Sequence, residues 1–197
     1  MMTFESFIEN YDQENTVLLL AGKRDVHEHA QAKLIQLGEM IASNSKKLIF
    51  RTGNAAGADA LFAEGVARID ASRLQSVTPY KNHRKKDNKA YMTMSLEDVN
   101  LVQEPHVVYQ SKKNVEMGRL IDQFLQGERH RNAQKAAYIL RDTLMVVGSR
   151  ELIPAKIGIF YDDLKNPRQG GTGHTMRMCQ LNEVPVLDQR VWMSWLE

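Results

Sequence analysis

Residues 47–65 read KLIFRTGNAAGADALFAEG, and the way this stretch divides decides the fold. The apolar LIF runs into Gly53. After a second glycine, Gly57, the residues Ala58, Leu61, Phe62, Gly65 and Ile69 fall on one helical face. A short buried strand turning tightly into an amphipathic helix is the unit of a parallel α/β sheet. The same unit precedes it. TVLLLAG (16–22) is a nearly continuous apolar run, as a strand covered on both faces requires, and Ala30, Leu34, Leu37 and Ile41 form the stripe of the helix after it. RLQSVTP (73–79) supplies a third strand, stopped by Pro79. This βαβαβ order predicts right-handed crossovers and an α/β, Rossmann-like three-layer sandwich, with a mostly parallel sheet flanked by helices.

Outside this core the reading is coarser. Residues 1–15 read as a polar arm, and residues 80–130 as an insertion of unassigned structure. Met117, Leu120, Ile121, Phe124 and Leu125 mark one helical stripe; Ala133, Ala136, Ala137 and Leu140 mark another. TLMVVG (143–148) and KIGIFY (156–161) both read as strands, either neighbours in the sheet or arms of an added hairpin. The polar DDLKNPRQGGTGHT (162–175) is a long loop feeding a helix on which Thr175, Met178, Cys179 and Asn182 share a face, and EVPVLD (183–188) closes the sheet.

With 197 residues, 43% hydrophobic and 25% charged, the chain has the size and balance of one globular domain, which argues against disorder and fibrous repeats. No apolar run approaches the roughly 20 residues of a membrane span. The start, MMTFESFIENYDQEN, is acidic where a secretory leader is basic and then apolar, so a cytoplasmic location without a membrane partner is expected. A single cysteine, Cys179, makes no internal disulfide, and without CxxC or His/Cys clusters neither metal nor other cofactor is expected. The formal charge of +2 is too small to indicate nucleic acid by itself. KNHRKKDNK (81–89) nevertheless concentrates positive charge, either as a solvated loop or as a rim attracting the phosphate of a nucleotide or of single-stranded nucleic acid.

Ligands of open parallel sheets gather where loops leave the carboxyl ends of strands. Glycines stand there three times: Gly22; Gly53 with Gly57; and Gly170, Gly171 and Gly173 ahead of the last long helix. Glycine admits a phosphate close to backbone N–H groups, and a helix N-terminus adds about half a positive charge. There is no GK[ST] of a P-loop and no GxGxxG of dinucleotide folds, which weakens the ATPase and dehydrogenase readings.

Four blocks in order, LLAGKRDV, RTGNAAGADALFAEG, RNAQKAAYILRDTLMVV and GGTGHTMRMCQLNEVPV, resemble the SMF/DprA-LOG (SLOG) superfamily, in particular its small stand-alone branch related to YspA and YpsA. That branch shows G-S-R-D after the first strand, G-G-A-x-G-A-D after the second, R-N ahead of a later strand, and G-T-x-x-T before the last helix, followed by P-V. The resemblance implies a fold that binds nucleotides or nucleotide-derived ligands such as ADP-ribose derivatives. It implies Gly22, Arg24 and Asp25 in a first loop, Thr52, Gly53, Asn54, Gly57 and Asp59 in a second, Arg131 and Asn132 in a third wall, and Gly170, Gly171, Thr172, Gly173, His174 and Thr175 in a phosphate loop. Two departures stand out. Asn54 replaces a second glycine, so either the turn tolerates asparagine or its side chain touches ligand. The cytokinin-activating LOG enzymes carry P-G-G-x-G-T-x-x-E, and aligning the glycines puts Arg177 at the place of the catalytic glutamate. No residue is therefore assigned a catalytic role. Nucleotide binding or sensing leads; hydrolysis of an N-glycosidic bond, with Asp25 or Asp59 as the carboxylate, and DprA-like single-stranded nucleic-acid binding through 81–89 and Arg129, His130 and Arg131 are the alternatives.

Single residues keep two readings. Asp59 either complements a helix dipole, worth about 0.3–1 kcal/mol, or holds a ribose hydroxyl. His174 is a hydrogen-bonding residue or a general acid near neutral pH. Cys179 reads as a small buried hydrophobe and the ten methionines as core. Homo-oligomerisation is left open.

Overall fold

The computed structural model describes residues 2–197. Six parallel strands form one sheet: β1 (Val17–Gly22), β2 (Ile49–Thr52), β3 (Leu74–Thr78), β4 (Met92–Ser95), β5 (Ala155–Tyr161) and β6 (Val186–Leu187). Their order is β4-β3-β2-β1-β5-β6, with every pair parallel, so the strand order reverses between β1 and β5. The described residues form eight α-helices, α1 (Phe4–Tyr11), α2 (Glu28–Asn44), α3 (Ala58–Asp70), α4 (Pro105–Lys112), α5 (Gly118–Leu125), α6 (Arg131–Val147), α7 (Gly170–Leu181) and α8 (Gln189–Trp192). This is the expected Rossmann-like α/β sandwich, and its sheet is parallel throughout.

The period of two along a strand explains the layers. Leu18 and Leu20 of β1 pack with Phe50, Ile157 and Ile159 against α2, α3 and Trp192 of α8. Val17 and Leu19 point the other way, into a second core with Leu140 and Leu144 of α6 and Met178 and Cys179 of α7. With both faces covered, VLLLA shows no polar alternation.

Two expectations are corrected, and the unassigned segment gains its structure. The N-terminal arm carries α1, with Thr3 Oγ1 accepting from the Ser6 N–H; Phe7 is buried, and its ring lies 5.0 Å from that of Trp195. TLMVVG is no strand but the end of α6. All residues from Leu140 to Val146 are buried, because α4, α5 and α7 pack on α6 as well as the sheet. A helix buried all round loses its polar face, and its apolar run then reads like a strand. The segment 80–130 contains β4, α4 and α5, and β4 extends the sheet beside β3. The strands read from TVLLLAG, KLIFRTG, RLQSVTP, KIGIFY and EVPVLD are β1, β2, β3, β5 and β6.

Candidate functional site

The carboxyl ends of β1, β2 and β5 meet α6 and the first turn of α7 at the switch point. Asp59 joins the two N-terminal loops. Its Oδ1 accepts from Gly22 N–H at 3.1 Å, and its Oδ2 accepts from Gly53 N–H at 2.9 Å and Ala55 N–H at 3.4 Å. Burial pushes this carboxyl up, while Arg141 and the three amides pull it back. Asp59 therefore belongs to the scaffold of the crevice, beyond a helix-dipole role, and its oxygens are occupied by the protein's own backbone. Gly57, at φ +79°, brings α3 onto the first loop: Ala58 N–H donates to Lys23 carbonyl at 3.0 Å, and a Cβ on Gly57 would lie 2.2 Å from Arg24 carbonyl oxygen.

Asn54 resolves its two readings toward the turn. It sits at φ +51°, which asparagine tolerates, and its Nδ2 donates to His83 carbonyl at 3.0 Å, tying the β2 loop to the 79–91 connection. Thr52 is buried, with Oγ1 accepting from Asn54 N–H. Arg24 and Asp25 are exposed beside the crevice.

The glycine loop GGTGHT is the first turn and a half of α7 rather than a loop before it. Only Gly170, Gly171 and Thr172 remain accessible, and their N–H groups, as the first of a helix, have no partner among the described residues. The helical period turns the rest inward. Gly173 packs on the Arg168 backbone, Thr175 Oγ1 donates to Gly171 carbonyl at 2.9 Å, and His174 lies under the helix. Thr143 Oγ1 donates to Ile139 carbonyl, so it accepts from His174 Nε2 at 3.1 Å and from Ser111 Oγ at 2.8 Å. Burial holds His174 neutral, with its pKa down to about 4. A ring held neutral in this way does not suit general acid work near neutral pH, and its Nδ1 has no hydrogen-bond partner.

Arg131 and Asn132 stand exposed at the start of α6, ten residues and about 15 Å along the helix from Arg141. The pair of that block which meets the crevice is Arg141–Asp142. Arg141 Nη1 donates to Gly53 carbonyl at 2.8 Å, and its Nε lies 3.0 Å from Asp142 Oδ1. The Asp142 Oδ2 lies 3.2 Å from where a Gly171 Cβ would stand. Tyr138, one turn earlier, has the guanidinium groups of Arg24 and Arg141 each 5.9 Å from its ring centre. Lys23 Nζ donates to Gln169 carbonyl at 3.3 Å, at the cap of α7. None of Lys23, Tyr138, Arg141 and Asp142 was singled out from sequence. The signal present was RD interrupting the apolar run ILRDTLMVV, a charged pair that burial forces to have partners.

Burial raises the Asp142 carboxyl to about 6, against Arg141. Between pH 4 and 6 the folded chain therefore keeps a proton that the unfolded chain has lost, and this group's contribution makes stability fall as pH rises through that window. His83 and His174, both held neutral down to about 4, contribute the opposite slope. The comparison that isolates Asp142 is Asp142→Asn minus wild type in urea unfolding. The variant is expected to gain relative stability from pH 4 to 6, reaching roughly 3 kcal/mol; a difference independent of pH would contradict the raised carboxyl.

The basic 81–89 stretch is largely paired within the chain: Lys81 with Asp98 at 2.7 Å, Arg84 with Asp87 at 3.0 Å and Lys89 with Glu64 at 3.1 Å. Arg129 lies over the Phe124 ring, and His130 pairs with Glu128. The Cys179 thiol is buried and pushed up to about 12. Among the described residues, no group of three or more His, Cys, Asp or Glu side chains is placed to hold a metal ion, and no helix is long and apolar enough to cross a membrane.

No protein-family model matches this chain, and no curated protein matches it. Among solved structures, it is similar to DNA processing protein A from Helicobacter pylori, described for its single-stranded DNA binding mode. That alignment has 13% identity and a TM-score of 0.47, and covers 89% of this chain and 65% of the other. The chain thus spans 65% of the length of that protein's structure.

Proposed function

We propose that the chain is a single nucleotide-binding domain that takes a phosphorylated, nucleotide-type ligand, ADP-ribose derivatives among them, at the β1–β5 switch point. The observation that carries this reading is the convergence there of unpartnered N–H groups at the start of a 12-residue helix with the cations Lys23, Arg24 and Arg141. Amide donors at a positive helix end favour an anion, and guanidinium forks suit phosphate. The four blocks that resemble the SLOG superfamily each supply a wall, the third through Arg141 and Asp142, which supports membership of that superfamily.

Binding has more support than turnover. Arg177, at the place of the LOG glutamate, is exposed on α7. One observation favours an N-glycosidic hydrolase as a second reading: Asp142 brings a carboxylate with a raised pKa to the α7 terminus, where neither Asp25 nor the fully engaged Asp59 serves. Asp142→Asn separates the two. A hydrolase loses turnover, whereas a binding protein keeps its affinity or gains some, since a negative charge near the phosphate is removed. Single-stranded nucleic acid has less support, because most cations of the 81–89 loop are already paired. An oligonucleotide that binds at low salt and is released steeply by added salt would restore it.

The test is thermal unfolding against a panel of nucleotides and ADP-ribose derivatives. A ligand at 100 times its Kd stabilises by about 2.7 kcal/mol, or roughly 5–11 °C in Tm for a chain of this size. Gly171→Val fills the crevice next to Asp142 without meeting backbone, so it is expected to remove the shift while its own Tm stays near wild type. A shift that survives in this variant places the ligand elsewhere.

A further inference from the structure

A cleft of about 390 Å³ opens at the carboxyl ends of β3 and β4, beside the crevice and lined in part by Thr78, His83, Lys85, Asn88, Thr93 and Ser95. Its size falls within the usual range of small-molecule sites. Two of its side chains are buried without hydrogen-bond partners: Thr78, 1% exposed, through Oγ1, and His83, 8% exposed, through both ring nitrogens. Buried polar groups left unmatched are unusual and call for a partner. We infer that this cleft seats the base of a nucleoside diphosphate whose phosphates lie at the α7 terminus, an inference that rests on the phosphate crevice proposed above.

The unpartnered groups of the cleft match the polar edge of a heterocycle. Burial, with Arg141, Arg84 and Arg24 nearby, keeps His83 neutral, so its ring offers one donor and one acceptor. The Thr78 hydroxyl adds a donor and acceptor, matching the mixed edge of a nucleobase. Lys81, held by Asp98, and Lys85 also line the cleft. The two sites are contiguous. The His83 ring packs edge-on against Tyr138, 5.9 Å away, the same ring that faces Arg24 and Arg141. Strands in a sheet are about 4.8 Å apart, so the floor at β3 lies about 10 Å from the β1 loop and about 14 Å from the end of β5 that leads to α7. That spacing suits a diphosphate better than a monophosphate.

Titration calorimetry with ADP, GDP, CDP and UDP, each compared with inorganic pyrophosphate, tests this on wild type, Thr78→Val and His83→Phe. Both substitutions keep the shape and remove the hydrogen bonding. The best nucleoside diphosphate is expected to bind more tightly than pyrophosphate to wild type and to weaken about tenfold in each variant, with pyrophosphate unchanged. The imidazole nitrogen-15 shifts of His83 should move with the nucleotide and not with pyrophosphate. Equal affinity for nucleotide and pyrophosphate in all three proteins overturns the base seat and leaves the phosphate crevice standing. Binding of neither probe overturns both. Folding is checked independently, since Thr78→Val removes an unmatched hydroxyl and is expected to keep or raise Tm.

Discussion

Replacing Asp59 by alanine is expected to cost about 3–5 kcal/mol and to lower Tm by roughly 6–20 °C. The magnitude follows from what the carboxylate holds. The amides of Gly22, Gly53 and Ala55 lose their acceptor in a site closed to water, and Arg141 is left facing a gap. Each orphaned buried donor costs about 1–3 kcal/mol. Asp59→Asn is expected to fall between, since a carboxamide accepts with one end and turns N–H against an N–H at the other. Urea unfolding of the two variants decides the matter. A loss below about 1 kcal/mol, the size of a helix-dipole interaction alone, would return Asp59 to that role.

Gly57→Val is expected to cost at least about 3 kcal/mol. A β-branched residue at φ +79° is strained, and its Cβ meets the Arg24 backbone at 2.2 Å, where no side-chain rotation gives relief. Gly170→Ala is the control. It also has positive φ, +63°, but no atom lies within 4 Å of the added Cβ, so only the backbone preference is lost, about 1–2 kcal/mol. If the two variants unfold at the same urea concentration, the first loop yields to α3 and is not clamped by it. A valine at Gly57 damages the scaffold as well as any ligand site, which makes Gly171 the better position for separating binding from folding.

The sheet was legible wherever a strand is short, apolar and closed by glycine or proline, as in TVLLLAG, KLIFRTG and RLQSVTP. It was not legible in β4, an edge strand whose MTMS alternates apolar and polar over only four residues, too few to stand out from the polar segment around it. TLMVVG misled because periodicity is a surface signal, and the second half of α6 has no surface. For the candidate site, the glycine loops could be read because glycine is where backbones approach closely. The side chains facing the crevice could not, because Tyr138, Arg141 and Asp142 arrive from a helix far along the chain. Inside GGTGHT the start of α7 is decisive: once Gly170 begins the helix, residues 173–175 turn inward, whatever chemistry histidine and threonine offer.

The strand order also has a kinetic meaning. β1 through β4 pair in the order in which they occur, so each contact closes a short stretch of chain, whereas β5 reaches β1 only after about 130 intervening residues. Non-local pairing of that kind is slow. The half of the crevice held by Asp59 is therefore expected to form early, and the half supplied by Arg141, Asp142 and α7 to arrive with β5. A fragment ending before β5 would carry the first two loops and no anion seat, so ligand binding would report completion of the sheet during refolding.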